Sequence, residues 1–462
     1  MRVYSLRSSF AKAVILTALL LLFANDASAS SVEKVLYTFT GGKDGGLPYT
    51  TLVQDHRGAW YGLTTGGGNQ GCNGGNGCGT VFMLTHNSSG HWVHTVLYRF
   101  KGQHDGWAPQ GALVFDAEDN LFGATSLGGR NSACTYVLGC GTIFELQRNE
   151  KKPWTKMTLY NFAGGTDGQG PNNPLIWDGR NKLYGSTYFG GVDSCYAGVG
   201  CGTVFELKRT REGRWAERVL YRFTGSADGM FAQGISRNAG SLYGFTESGG
   251  GSGCYGLGCG TVFELTPSSP GVWVESILYS FTGATDGAFP NAGLLFDGKG
   301  NLYGTAMQGG DQNCTVRGGY GGCGTVFTVG HSGNTWTQSV LYAFSGGADG
   351  IIPEAPITWH DGNLYGMTSE GGGDGCYAGY GCGTVFELKQ SRTGWQESIL
   401  YTFDGHDGEL PLRGGVSFDQ RGDLLGTTSN GGSYTAGNVF KLRLQAPSPK
   451  SNSTLRETPA VP

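Results

Sequence analysis

The sequence predicts an all-β fold: a seven-bladed β-propeller of four-stranded blades, closed by the N-terminal strand. Three observations carry that prediction. The string Leu-Tyr-x-Phe recurs at Leu36, Leu97, Leu159, Leu220, Leu278, Leu341 and Leu400, at steps of 58 to 63 residues. Each copy reads as four short alternating or β-rich segments with no 3.6-residue period. The chain also opens on a lone fourth strand and ends on three strands that lack a fourth, so the two ends complete one blade.

Taken in order, residues 1–29 read as a cleaved secretory signal. Arg2, Arg7 and Lys12 form a basic region, Ala13 to Ala24 an apolar one, and Ala27-Ser28-Ala29 offers small residues for cleavage. Twelve apolar residues are too few to span a bilayer as a helix, and no second hydrophobic stretch comes after them. The mature chain is therefore expected to have no transmembrane segment and to be secreted, periplasmic or extracellular.

The propeller is expected over 30–444, beginning with Val32 to Phe39 as the lone strand. The third copy shows the repeating unit. Pro174 to Asp178 is a short apolar strand, Gly179-Arg180-Asn181 a turn, and Lys182 to Thr187 a second strand. A glycine-bounded loop with Cys195 and Cys201 leads to a third strand, GTVFELK, and a polar hairpin leads to a fourth that ends at Phe223. The final three strands lie near Val416–Asp419, Asp423–Thr428 and Asn438–Leu442. Residues 445–462 are polar and Pro/Ser-rich, and are expected to be disordered.

Composition narrows the function. Net charge is −4 with no basic block, which argues against nucleic acid. Aromatic residues make up 12%, too many for a disordered chain. The twelve cysteines fall into pairs inside single loops: Cys72 with Cys78, Cys134 with Cys140, Cys195 with Cys201, Cys254 with Cys259, Cys314 with Cys323, and Cys376 with Cys382. The seventh copy lacks both members together. Export and joint loss point to six local disulfides rather than a zinc site, which would need four converging ligands.

Two columns of aspartates recur. Asp44, Asp105, Asp167, Asp228, Asp286, Asp349 and Asp407 each precede a glycine, and six of the seven have Pro four residues on. Turn chemistry explains them; a structural calcium would need backbone carbonyls to complete its shell. Asp55, Asp116, Asp178, Asp297 and Asp419 end the first strand and are expected to cap the next turn, with Arg237 and His360 in the other two copies. Glu145, Glu206, Glu264 and Glu387 are expected at solvated strand ends.

In a blade ordered from the axis outward, the Asp-Gly turns and the Cys loops emerge on the same face. Function is expected there. Tyr136, Tyr196, Tyr255 and Tyr377 come soon after the first cysteine of their loops and are candidates for stacking on a ligand. His104 and His406 precede their Asp-Gly turns and are candidates for an axial site. No nucleophile elbow, zinc-protease motif or P-loop occurs, and no residue is assigned a catalytic role.

The repeat signature appears as LYGST, GG, GTVFEL and VLYRF in one copy, and as LYGMTSEGG, GTVFEL and ILYTF in another. On these motifs, over residues 32 to 443, the chain resembles the choice-of-anchor tandem-repeat GloVer-containing family. The Gly-Gly pair and the Trp that opens the fourth strand also resemble kelch repeats. The resemblance implies a bacterial exported or surface protein and no particular reaction. The apolar C-terminal anchor typical of such proteins is not seen in this sequence.

Two function classes are consistent with these readings. One is a non-enzymatic binding or scaffold module, a monomer holding a glycan, peptide or envelope partner on the Cys-loop face. The other is an envelope polysaccharide hydrolase or lyase with its site at the propeller axis. No cofactor is expected beyond a structural calcium.

Overall fold

The computed structural model describes residues 32–130, 134, 138–149, 154–316, 319–333, 335–376 and 379–444. Residues 1–29 and 445–462, the expected signal and tail, lie outside them. Seven antiparallel four-stranded sheets form the ring, and six of them order their four strands in sequence from the innermost to the outermost, while the seventh takes its outermost strand from the start of the chain. Blade III is built from Ile176–Trp177, Lys182–Thr187, Thr203–Arg209 and Trp215–Arg222. Among the described residues, no helix is long and apolar enough to cross a membrane.

The ring closes as the sequence predicts. Val32–Thr38 pairs antiparallel with Asn438–Arg443, from Val32 opposite Arg443 to Thr38 opposite Asn438. It thereby supplies the outermost strand of blade VII. The innermost strands of the end blades also join, with Ser417 Oγ donating to the Leu52 carbonyl at 2.7 Å. Around the axis these inner strands approach closely. A Cβ on Gly234 would lie 1.7 Å from the Ala292 carbonyl oxygen, so only glycine fits there.

The Leu-Tyr-x-Phe string has a structural reason that simple alternation does not supply. In every blade the fourth strand shifts register at its leucine, for example between Val96 and Tyr98 around Leu97. The leucine is a β-bulge residue, which adds twist and re-aims the side chains after it. The phenylalanine then crosses to the next blade and meets the phenylalanine of that blade's third strand, in GT[VI]F for six blades and GNVF for blade VII. Seven such pairs run round the ring, from Phe39–Phe82 at 5.2 Å, through Phe223–Phe263 at 5.1 Å, to Phe403–Phe440 at 5.0 Å. These rings are fully or almost fully buried and form the seams between blades.

All six cysteine pairs read from the sequence are disulfides. The Cα–Cα distances are 5.0 Å for Cys72 with Cys78, 5.2 Å for Cys134 with Cys140 and 5.6 Å for Cys195 with Cys201. They are 5.2 Å for Cys254 with Cys259, 5.6 Å for Cys314 with Cys323 and 4.8 Å for Cys376 with Cys382. The second member of each pair is buried: Cys78, Cys140, Cys201 and Cys323 fully, Cys259 and Cys382 all but 1 to 2%. Each disulfide seats on the turn of the next blade. A Cβ on Gly102 would lie 2.5 Å from Cys72 Sγ, and one on Gly164 2.5 Å from Cys134 Sγ, so glycine at the turn makes room for the sulfur. The staple thus orders its own loop and also locks it to the neighbouring blade.

Candidate functional site at the ring axis

The Asp-Gly turns set the geometry of the axis. The tyrosine aimed by each bulge donates its hydroxyl to the Asp, as Tyr37 does to Asp44 at 3.0 Å and Tyr160 to Asp167 at 2.7 Å. A backbone N–H upstream reaches the same carboxylate, from Lys101 to Asp105 at 2.8 Å and from Thr282 to Asp286 at 2.8 Å. The next glycine has positive φ, and a Cβ on Gly45 would lie 2.6 Å from Thr64 Oγ1. This turn role accounts for all seven aspartates of the column.

Five residues beyond each of these aspartates, the chain reaches the axis. There the repeat stops dictating the side chain: the seven positions hold Tyr49, Gln110, Asn172, Gln233, Asn291, Glu354 and Leu412. The end of each second strand contributes another variable position, with Ser126 in blade II, Tyr188 in blade III and Glu247 in blade IV. Five of the seven, Tyr49, Gln110, Asn172, Glu354 and Leu412, line a cavity of 380 Å³ together with Ser126, Tyr188, Phe189 and Arg413, among others. Gln233, Asn291 and Glu247 are not in that lining, but Tyr188 and Arg413 both act on the Glu247 carboxyl. The cavity's position between the fourth-to-first and second-to-third connections puts it on the face of the Asp-Gly turns and Cys loops. None of the twelve cysteines lines it.

The cavity is electrostatically uneven. Burial pushes the Glu354 carboxyl up, opposed by Arg413 and by a hydrogen bond to Ser369, while Glu247 and Glu370 push it further up. Burial likewise raises Glu247, against Arg413, Tyr188 and Gln233. Gln233 Nε2 donates to Glu247 Oε2 at 2.6 Å, and its Oε1 is buried without a hydrogen-bond partner. Burial, then Glu247, raises the Tyr188 hydroxyl. Both glutamates lie deep in the ring, yet each side chain keeps part of its surface open. Two carboxyls whose pKa values burial raises thus sit with one guanidinium, the Gln233 amide and the Tyr188 hydroxyl, so the cluster holds both hydrogen-bond donors and acceptors.

An aromatic wall joins this cavity to a Cys loop. Tyr188 stacks on Phe231 with ring centroids 4.7 Å apart, and Tyr196 meets the same Phe231 edge-on at 4.8 Å. Tyr196 remains 46% exposed and Tyr255 65% exposed, the latter edge-on to Tyr320 at 5.4 Å. Tyr136 and Tyr377 lie outside the described residues.

Other sequence candidates find plainer roles. His104 and His406 are exposed on their turns, and neither lines the cavity. The aspartates ending the first strands cap the next turn, as Asp55 does for the Arg57 and Ala59 N–H groups at 3.0 and 2.8 Å. In the two copies without one, Ala239-Gly240 and Asp361-Gly362 close tight turns with positive φ at both residues. His360 instead stacks on Phe418 at 3.9 Å. The expectation of solvated strand ends is wrong for Glu145, Glu206 and Glu387, which are 4 to 5% exposed. Two of them accept across the blade, Glu206 from Lys182 at 2.7 Å and Glu387 from Tyr365 at 2.6 Å, and Glu145 accepts from Gln147 on its own strand at 3.3 Å.

Sequence reasoning missed Glu247, Glu354 and Arg413. The available signal was variability at a fixed offset from an invariant turn, which marks where a repeat is free to specialise.

The family described as Gloeobacter/Verrucomicrobia repeat matches residues 72–316 and 314–456. No curated protein matches the chain. Among solved structures, the extracellular domain of a hybrid two-component system from B. thetaiotaomicron is similar at 13% identity, over 89% of this chain and 41% of its own, with a TM-score of 0.49. The chain thus spans about two-fifths of that protein's length. A fungal alcohol oxidase of the AA5 family in complex with copper is similar at 14% identity, over 90% and 76%, with a TM-score of 0.49. A puromycin-hydrolyzing peptidase from Mycobacterium tuberculosis is similar at 12% identity, over 87% and 52%, with a TM-score of 0.48.

Proposed function

The chain belongs to the Gloeobacter/Verrucomicrobia repeat family, and from that premise we propose that it is an exported binding propeller that holds the end of a glycan in its axial cavity. The observation that carries this reading is the coincidence of cavity and broken symmetry. Over most of the ring the repeat explains the residue; at the axis the seven equivalent positions vary among Tyr, Gln, Asn, Glu and Leu, and five of them line the cavity. A 380 Å³ cavity falls in the range of small-ligand sites. Tyrosine and phenylalanine rings give faces for sugar C–H groups, while amides, carboxyls and a guanidinium match hydroxyls as donors and acceptors. The wall through Phe231 to Tyr196 extends the same chemistry toward a disulfide-stapled loop, where a longer chain would run. Six disulfides suit an oxidising compartment, and residues 1–29 are the segment we propose directs export.

A second reading is favoured by one observation. Glu247 and Glu354 share the axis, and both are held toward their neutral forms, as a general acid in glycoside hydrolysis would be. One experiment separates the two. The mature protein is screened on a glycan array, and each captured glycan is then incubated with it while reducing ends are counted. Stable capture without new reducing ends is expected. Steady release of reducing ends that stops in Glu354→Gln would replace binding with hydrolysis. Capture of no glycan at all would remove the glycan reading.

A further inference from the structure

Symmetry also breaks on the opposite face, at the junction of blades VII and I. In four copies the residue after GT[VI]F is a glutamate: Glu145, Glu206, Glu264 and Glu387. Blade V has the neutral Thr328 there and blade I Met83, while blade VII has Lys441, so the column reverses its charge only at the junction of blades VII and I. The hairpins between first and second strands add to the reversal. Two residues past the capping position the seven copies hold Arg57, Glu118, Arg180, Ala239, Lys299, Gly362 and Arg421. Only blades VII and I put cations on neighbouring hairpins.

These residues meet round a cavity of 210 Å³ whose wall includes Arg57, Arg421, Lys441, Trp60, His86 and Trp92. Lys441 is matched by Asp419 at 2.9 Å and by Asp423. Arg57 and Arg421 are exposed, and neither has an ion-pair partner among the described residues. Their backbones are fixed, because the N–H of each is held by its capping aspartate, at 3.0 and 2.8 Å. The ring of His86 packs on Trp92 at 3.8 Å. We propose that this junction is an oxyanion site, in which Arg57 and Arg421 clamp a sulfate, phosphate or carboxylate group of an acidic glycan and the His86–Trp92 pair carries its sugar ring. Arginine suits the task because its planar fork binds oxyanions in two contacts. The potential there is already positive: besides burial, Lys441, Arg421 and Lys34 hold His86 below the usual histidine range, with only Asp419 opposing. The inference is independent of the axial reading, since the two cavities lie on opposite faces.

His86 is the reporter. Its imidazole is titrated by NMR in chloride at constant ionic strength, then with inorganic sulfate, inorganic phosphate, glucuronate or glucose added. At least one oxyanion is expected to raise the His86 pKa by about 1, since it places negative charge beside the ring, while glucose leaves it unchanged. Which of the three acts identifies the source of the oxyanion. The rise is expected to vanish in Arg57→Ala/Arg421→Ala and to survive in Arg180→Ala, the same hairpin position in blade III. No rise with any oxyanion, or an equal rise in the double variant, would overturn the proposal.

Discussion

Between about pH 5 and about pH 8.5 the protein should lose thermal stability steadily, and replacing four glutamates by glutamine should flatten that loss. The third residue before each Leu-Tyr-x-Phe string faces an Asp-Gly turn: Glu33, His94, Lys156, Glu217, Glu275, Gln338 and Glu397. Where the residue is an amide or an amine, it bonds the turn. Gln338 Nε2 reaches the Asp286 carbonyl at 3.0 Å, and Lys156 Nζ the Asp105 carbonyl at 2.7 Å. Where it is glutamate, burial and then the turn aspartate raise its pKa: Glu33 to about 7 beside Asp407, Glu217 to about 8 beside Asp167, Glu275 to about 7 beside Asp228 and Glu397 to about 8 beside Asp349. Each of the four also has a buried Oε1 with no partner. A neutral carboxyl supplies the O–H that fills the role of the Gln338 amide.

The folded-state pKa values lie above the unfolded value near 4.5. The stabilisation is therefore complete below that value and is lost as pH rises through 7 to 8. A tenfold change in proton affinity corresponds to about 1.4 kcal/mol. These side chains are partly exposed, so screening reduces each contribution to roughly 1 kcal/mol, or roughly 4 kcal/mol for the set. Thermal unfolding across this range, on the wild type and on Glu33→Gln/Glu217→Gln/Glu275→Gln/Glu397→Gln, checks the result. The variant should match the wild type near pH 5 and exceed it near pH 8.5. Parallel curves for the two proteins would show that these glutamates are not the titrating groups.

Phe39→Ala should be the most damaging single change at the ring closure, costing about 3–5 kcal/mol from cavity formation and lost ring contact. Phe39 is fully buried, comes directly after the strand Val32–Thr38 that belongs to blade VII, and packs on Phe82 of blade I. Phe223→Ala removes the equivalent contact with Phe263, but there the chain is continuous through both blades. The two variants should therefore lose similar stability and fail differently. Amide exchange in Val32–Thr38 and Asn438–Arg443 should accelerate well below the unfolding temperature in Phe39→Ala only. Equal exchange of these two strands in both variants would mean that the seam is no weaker than any other.

Much of the fold was legible because a propeller writes its geometry seven times. The strand count, the split blade and the within-loop cysteine pairs, such as Cys72 with Cys78, all come from positions that the repeat holds constant. The seating of each disulfide on the next blade's glycine was not legible, because Gly102 and Cys72 belong to different loops that meet only in the ring. The leucine bulge was also hidden, because an extra residue in a strand looks like ordinary alternation until the partner register is known. The burial of Glu206 and Glu387 was missed for a related reason: their partners Lys182 and Tyr365 sit on the adjacent strand at 2.7 and 2.6 Å, about twenty residues away. The axial cluster was hardest to see. Glu247, Glu354 and Arg413 come from blades IV, VI and VII and converge only because the ring closes. Each taken alone is one variable residue after a turn.

The most direct test of the axial site uses a ring whose axis has been made more regular. Glu247→Ser, Glu354→Asn and Arg413→Ala give these positions residue types found in other blades, with small or neutral side chains. A glycan captured by the wild type is titrated calorimetrically into this triple variant and into Tyr196→Ala/Tyr255→Ala. Affinity should fall at least about a hundredfold in the triple variant, a loss of about 2.7 kcal/mol, with the fold retained, and only a few-fold in the loop variant. Binding that survives at the axis and disappears with the two loop tyrosines would place the ligand on the Cys loops and contradict the account.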